Sequence, residues 1–439
     1  MNETVPEELI GRFWLISADM GYGHQRAIYP LKSLAVNGEV LNANTSRLAT
    51  SSEKRLWRHM LSSYELMSRA SKFPLVGKYI KRVLDKLLYI PKPYTSRDLT
   101  LPSLQVKHLK RAIGRGLCRG VVEEISSLPL PLITSFYSSA IAAEMASHPK
   151  VYCIICDTDI NRVWAPEDSE NTRIHYFAPN SSSARRLAAY GVPYGNIHTT
   201  GFPLPVELLG DRKLNVLRQN LCRRLQRLDP SRKYQHMYQN VGLEITPINT
   251  RVLTITYCVG GAGAQKEIGR QFVKSLRKKI KKGFVKVNLV AGTRVEVRDY
   301  FLKVKETYVG ESGNIRVIYA PTNDEYFKAF NDILHETDIL WTKPSELSFY
   351  CALGIPIIMT QAIGPQEKCN RRWLMEIGAG LKQHDPSHAK KWIFDLLNKG
   401  VFAEAALHGF IKAHKCGTYN IFDYLQNGYI DEGSHKIIH

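Results

Sequence analysis

The sequence predicts an α/β chain of two doubly wound domains, each a parallel sheet with helices on both faces. Three observations carry this expectation. A strand, glycine turn and helix open the chain at 12–34, and the same grammar returns at 252–279. Strand and helix alternate through both halves with short crossovers, which imply parallel strands covered by helices. At roughly 100 to 200 residues per domain, 439 residues fill two or three domains.

Taken in order, 12–17 (RFWLIS) reads as a buried strand, and it meets Asp19-Met20-Gly21-Tyr22-Gly23-His24 before a helical pattern at 25–34. Further strands are expected at 132–134, 151–156, 173–177 and 198–200, with a helix at 182–190. In the second half, 252–258 (VLTITYC) leads into Val259-Gly260-Gly261-Ala262-Gly263 and a helix at 265–279. Strands then follow at 286–290, 315–319, 339–341 and 355–359. The joint falls in 204–249, where 212–233 carries eight basic residues against Asp229 alone and reads as a solvated basic helix. The resulting division is a first domain at 1–210, a basic linker at 211–249, a second domain at 250–400 and a C-terminal helical stretch at 401–439.

Composition narrows the functional classes. Sixty Lys+Arg stand against 40 Asp+Glu, and 44% of the chain is hydrophobic, so disorder is excluded as its main theme. The positive charge is clustered: 47–119 holds 17 Lys+Arg against four acids, a field that attracts phosphate on nucleic acid, lipid or substrate. Within it, 56–94 interrupts the α/β alternation with aromatic and basic residues at helical spacing. That pattern suits either packing on its own domain or a membrane-surface helix carrying Lys78, Lys81, Arg82 and Lys86. Neither an apolar span of membrane length nor a basic, apolar leader at 1–8 is visible, so a cytoplasmic location, peripheral on the inner membrane face, is expected. No nucleic-acid reader motif accompanies the charge, so a basic nucleic-acid-binding protein is a distant alternative that only the net charge suggests, and nucleic acid is not expected as a partner. Eight cysteines without framework spacing suit reduced thiols, and the pair Cys153 and Cys156 reads as buried-strand thiols or as a metal or redox pair.

Chemistry is expected at strand ends, where glycine turns let a ligand approach the backbone. Gly21, Tyr22 and Gly23 form such an acceptor loop, and His24 at the helix start is either a packing residue or a base suited to taking a hydroxyl proton near neutral pH. Gly260, Gly261 and Gly263 repeat the arrangement in the second half. At 339–346 Lys343 can meet a phosphate, Ser345 can cap the following helix, and Glu346 can take ribose hydroxyls or serve as an N-terminal helix carboxylate. Gln366 and Glu367 can hold sugar hydroxyls or belong to a plain polar turn.

The blocks Ser17 to Ala27, Tyr176-Phe177-Ala178-Pro179 through Gly201-Phe202-Pro203, and Trp341-Thr342-Lys343 through Pro365-Gln366-Glu367 and Asn370 follow one another in an order that resembles the GT-B glycosyltransferases. The likeness is greatest to the branch holding monogalactosyldiacylglycerol synthases, diacylglycerol glucosyltransferases and the peptidoglycan lipid-intermediate N-acetylglucosaminyltransferase. It implies two Rossmann-like domains facing a cleft and an inverting hexose transfer from a nucleotide-sugar donor, usually a UDP-sugar, to a lipid or lipid-linked acceptor, with neither metal nor cofactor. On that resemblance His24 is the general base, Gly261, Ala262 and Gly263 lie near the diphosphate with Arg294 as a phosphate partner, Glu346 lies near the ribose, and Gln366 and Glu367 near the sugar. It also implies that the C-terminal stretch crosses back onto the first domain. Two departures stand out. Phe349 occupies the place of a helical glutamate, and the block Cys156 to Trp164 lacks the family's histidine, so Asp157 or Asp159 either orients His24 or merely ends a strand. The alternative enzyme is a cytosolic relative acting on a soluble acceptor or epimerising a UDP-sugar.

Overall fold

The computed structural model describes residues 5–45, 47–58, 89–92, 97–245, 252–260, 263 and 265–430. The expected membrane cluster Lys78, Lys81, Arg82 and Lys86, together with Gly261 and Ala262, lies outside the described residues. The chain divides into two compact units, one comprising Met1–Pro203, Ile363–Asn370 and Cys416–Asp431, the other Leu204–Ala362, Arg371–Lys415 and Glu432–His439.

Unit 1 is built on a six-stranded parallel sheet of β1 (Phe13–Ser17), β2 (Ala35–Asn42), β3 (Leu132–Thr134), β4 (Val151–Ile154), β5 (His175–Ala178) and β6 (Ile197–Thr199), in the order β2-β1-β3-β4-β5-β6. Every residue of β1, β3 and β4 is buried, as expected of central strands covered on both faces. β2 was not legible as a strand: its interior Asn37-Gly38 takes positive φ and is exposed, and its register against β1 slips between Phe13 and Leu15. The expected helix at 25–34 is an α-helix Tyr22–Ile28 followed by a 3-10 helix Tyr29–Leu34, the change coming where Pro30 has no N–H to give to an α-helical bond.

Unit 2 repeats the architecture with β7 (Leu253–Cys258), β8 (Val285–Gly292), β9 (Ile315–Tyr319), β10 (Ile339–Thr342), β11 (Ile357–Met359) and β12 (Gly380–Lys382), all parallel, in the order β12-β11-β10-β7-β8-β9. β12 is three residues long and carries no apolar run, so it left no pattern to read. Both units are thus doubly wound α/β sheets of Rossmann type.

The basic run at 212–233 is not the solvated helix that its charge suggests. Its helix Asn215–Leu228 buries Leu217, Leu221, Leu225 and Leu228, and Arg224 lies on the same stripe at 1% exposure. There Arg224 donates to the carbonyls of Thr337, Leu353 and Gly354, while Arg227 pairs with buried Asp338. Leucines at helical spacing outweigh the flanking charge.

The end of the chain forms two helices, Val401–Lys412 in unit 2 and Gly417–Asn427 in unit 1. The second is seated by Asn420, whose side chain donates to the Thr200 carbonyl at 2.7 Å, and by Gly417, where a Cβ would stand 2.2 Å from the Phe202 carbonyl. Among the described residues no helix is long and apolar enough to cross a membrane.

Candidate functional site

In a doubly wound sheet the connections leave one central strand pair in opposite directions, which opens a crevice at the carboxyl ends of those strands. In unit 1 that pair is β1 and β3, and in unit 2 it is β7 and β10. Each crevice gathers residues singled out from the sequence.

At the first crevice, Gly21 turns the chain out of β1 with φ 110°, a conformation closed to residues with a Cβ. Asn44, just beyond β2, fixes Asp19, two residues before Gly21, by accepting from its N–H and donating to its carbonyl. Half-buried Tyr22, Gly23 and His24 form the first turn of the helix that follows. The His24 Nδ1 lies 2.7 Å from the carbonyl of Ser135, the residue after β3, and the Ser135 hydroxyl donates to the His24 carbonyl at 2.7 Å. A carbonyl only accepts, so Nδ1 carries a proton, and in the neutral ring the lone pair is then on Nε2. The ring meets Phe136 edge-on at 4.8 Å and Trp164 at 6.2 Å, and Tyr137 and Trp57 extend the aromatic group through Phe136. Burial pushes the Tyr137 phenol up to about 12, so it stays protonated at neutral pH. Next to Trp57, a cavity of about 280 Å³ is lined by Asn44, Lys54, Trp57 and Arg58.

Asp157 and Asp159 do not occupy the Nδ1 position expected of an orienting carboxylate, because the Ser135 carbonyl is there. Asp159 is held bidentate by Arg186 at 2.8 and 2.9 Å, with side-chain exposures of 5% and 4%, and also accepts the Ile160 N–H. Its carboxylate therefore holds the helix Ser181–Ala189 to the segment after β4. Asp157 accepts from the Asn370 side-chain amide, whose oxygen receives both the N–H and the hydroxyl of Thr158. Cys153 and Cys156 are buried thiols that form no disulfide. Burial pushes Cys153 far above its ordinary range, and the Cys156 thiol points to the Ser135 carbonyl.

At the second crevice, Gly260 and Gly263 close a tight turn through a 2.7 Å bond from the Gly263 N–H to the Gly260 carbonyl, with Gly263 at φ 66°. The Lys343 chain from the end of β10 lies on Gly260 so closely that a Cβ would stand 2.6 Å from its Cε. The glycine and the lysine therefore belong to one surface. Arg294 is exposed at the start of the helix Val295–Tyr308, just after β8. Glu346 opens a 3-10 helix, Glu346–Leu353, with its side chain buried. Ser345 stands at the N-cap position of that helix without making the expected cap: its N–H turns back to the Lys343 carbonyl and its side chain accepts no N-terminal N–H. Gln366 and Glu367 begin the helix Pro365–Glu376 rather than a plain turn, and Glu367 accepts the Ile363 N–H at 2.7 Å, so one of its oxygens caps its own helix. Both fall in the segment assigned to unit 1.

Gln265 is a further member of the second crevice, which sequence reading passed over. It adopts φ 69° at the start of the helix Lys266–Lys281, a conformation unusual for a residue with a side chain. Its side-chain oxygen accepts from the Thr360 hydroxyl at 2.7 Å, its amide donates to the Gln361 carbonyl, and its own carbonyl accepts from Tyr257. The glycine turn is thereby tied to the end of β11. A polar residue before a helix gives no hint of this, because the partners are 95 residues away. Among the described residues no group of three or more His, Cys, Asp or Glu is placed to hold a metal ion.

A family model described as a domain of unknown function (DUF6938) matches residues 296–421. No curated protein matches the chain. Solved structures similar to it include the S. aureus MnaA complex with UDP, at 12% identity and a TM-score of 0.44, covering 94% of this chain and 95% of that one. A. baumannii MurG follows at 13% identity and 0.41, covering 94% and 99%, and Medicago truncatula UGT71G1 complexed with UDP-glucose at 13% and 0.39, covering 96% and 95%.

Proposed function

We propose that the chain is a glycosyltransferase that moves a hexose from a nucleotide-sugar, a UDP-sugar first among them, to a hydroxyl of a lipid or lipid-linked acceptor, with inversion at the sugar carbon. The observation that carries this reading is the His24 ring, held through Nδ1 by the Ser135 carbonyl at the β1/β3 crevice, which in the neutral ring leaves the lone pair on Nε2. That is the protonation state that a base acting on a hydroxyl requires. The acceptor oxygen gives its proton to Nε2 and bonds to the anomeric carbon. The bond from that carbon to the donor phosphate breaks, and its electron pair leaves with the nucleoside diphosphate. In unit 2, Lys343 and the turn from Gly260 to Gly263 supply positive charge and close backbone approach for the leaving diphosphate, with Arg294 nearby in the sequence of strand ends. An aromatic group beside a cavity carrying Lys54 and Arg58 suits an acceptor with both apolar and anionic parts. The membrane part of the proposal rests on the basic, aromatic composition of 47–119, Lys78, Lys81, Arg82 and Lys86 included.

The deciding experiment incubates the protein with UDP-, GDP- and dTDP-sugars, with and without lipid acceptor and with and without chelator, and follows release of the nucleoside diphosphate. Release that depends on lipid and survives chelation is the expected result. Turnover without any lipid, or conversion of the donor to its 2-epimer, would replace transfer to lipid with chemistry on a soluble substrate.

A further inference from the structure

We propose that unit 2 carries its own docking face for an anionic lipid surface, built by the helix Lys266–Lys281 and the first turn of the helix Ala389–Asn398. Residues 266–286 contain nine Lys+Arg against one acid, Glu267, which sits in the first turn at the far end. The charges are sorted by the fold. Phe272, Val273, Leu276 and Ile280 are buried, whereas Lys274, Arg277, Lys278 and Lys281, spaced to share the opposite helix face, are exposed together with Lys282. The Lys390 N–H donates to the Ser275 hydroxyl at 3.1 Å, which brings exposed Lys390 and Lys391 beside that stripe. Neighbouring acids do not neutralise it: Asp385 is taken by Ser387 and His388, and Asp395 by Lys399.

Complementing the negative end of a helix explains basic residues in its last turn, but not Lys274, Lys390 or Lys391. An aromatic edge adds the second observation. Phe284, just past the helix, is 52% exposed, and the Lys279 ammonium lies 5.0 Å from its ring centre and 4.9 Å from that of Phe394. An exposed ring beside a lysine whose stem reaches between two aromatic rings, at the edge of a basic stripe, is the composition of an interfacial contact. Lysines outnumber arginine on the face, and a point charge on a flexible stem suits the diffuse field of anionic headgroups better than forked recognition of single phosphates along a nucleic acid. This face shares no residue with either crevice, so the inference stands whether or not the nucleotide-sugar reading does.

The test is flotation of the full chain with vesicles of phosphatidylcholine alone and of phosphatidylcholine with phosphatidylglycerol, at low and high salt. Binding to the anionic vesicles at low salt and its loss at high salt are expected. The combined variant Lys274→Glu, Arg277→Glu, Lys278→Glu, Lys281→Glu should bind at least about tenfold less, with Phe284→Ala reduced severalfold. A matched variant, Lys303→Glu, Lys328→Glu, Lys382→Glu, Lys412→Glu, makes the same change in net charge elsewhere on unit 2 and should bind nearly as the parent does. Melting curves establish that each variant folds, and the milder set Lys274→Gln, Lys278→Gln, Lys281→Gln serves if the reversal does not. Equal loss in the matched variant, or parental binding by the folded face variant, overturns the proposal. So does displacement of the protein from anionic vesicles by polyuridylate through the same four residues, which would make the face a nucleic-acid contact.

Discussion

His24 and Ser135 hold each other through two hydrogen bonds of 2.7 Å, imidazole Nδ1–H to the Ser135 carbonyl and Ser135 hydroxyl to the His24 carbonyl. The latch joins the helix after β1 to the end of β3, and a main-chain carbonyl takes the Nδ1 proton. Under the proposed mechanism, His24→Ala should lower turnover by roughly 100-fold or more while donor affinity changes little. Ser135→Ala keeps the carbonyl and removes only the return bond, so its turnover should fall only severalfold. Steady-state kinetics alongside nucleotide titration separates the two effects. Lost donor affinity with intact turnover would make His24 a binding residue.

Gly260 is the second sensitive point. A Cβ there collides with the Lys343 chain at 2.6 and 2.9 Å, so Gly260→Val should displace the lysine and weaken nucleoside diphosphate binding by about tenfold or more, the scale of one lost charge-assisted contact. Lys343→Met should cost a similar amount, and the double variant little more than either, because both remove one contact. Calorimetric titration with UDP checks this, and additive losses would show that the two residues act separately.

Asp159 distinguishes a structural carboxylate from a catalytic one. Asp159→Asn leaves the Arg186 guanidinium buried without its counter-charge, and stability should fall by roughly 3–5 kcal/mol. Turnover per folded molecule should stay within severalfold of the parent, with an unchanged pH profile. A shifted profile would return Asp159 to the catalytic group.

Buried Arg224 donates to four carbonyls, of Thr337, Leu353, Gly354 and Leu334. Arg224→Met keeps the stem and removes the donors, and urea unfolding should register a loss on the order of 3 kcal/mol. An unchanged midpoint would mean that those carbonyls find other donors.

The pH dependence of stability should show the paired imidazoles of unit 1. The His198 Nε2 and His175 Nδ1 lie 3.1 Å apart under Tyr424, and burial, followed by the charge of His175, lowers His198 to about 4. Lys150 lowers His175 in the same direction after burial does. The unfolded chain takes up a proton near the ordinary histidine value of about 6.5, whereas the folded chain does not until about 4. Stability from this group is therefore complete above that ordinary value and is lost as pH falls from there towards 4. Melting temperatures of the parent should drop across this window more steeply than those of His198→Gln, and parallel curves would exclude the pair as the cause.

The sequence alone determined the architecture of both units, because buried parallel strands advertise themselves as short apolar runs and glycines mark the turns that follow them. It also singled out His24, Gly260 and Lys343, since strand-end position is a local property. It misread the basic run around Arg224, where charge concealed a leucine stripe, and it missed β2 and β12, whose strand character comes from hydrogen bonds to neighbours rather than from their own side chains. Only tertiary structure decided what orients His24. The partner is a main-chain carbonyl 111 residues away, and a carbonyl leaves no mark on composition. The same holds for Gln265, tied to Thr360 across 95 residues, and for Asp159, whose role is fixed by Arg186. Strand order, which no local pattern encodes, chose those partners, by placing β3 beside β1 and β11 within reach of the turn after β7.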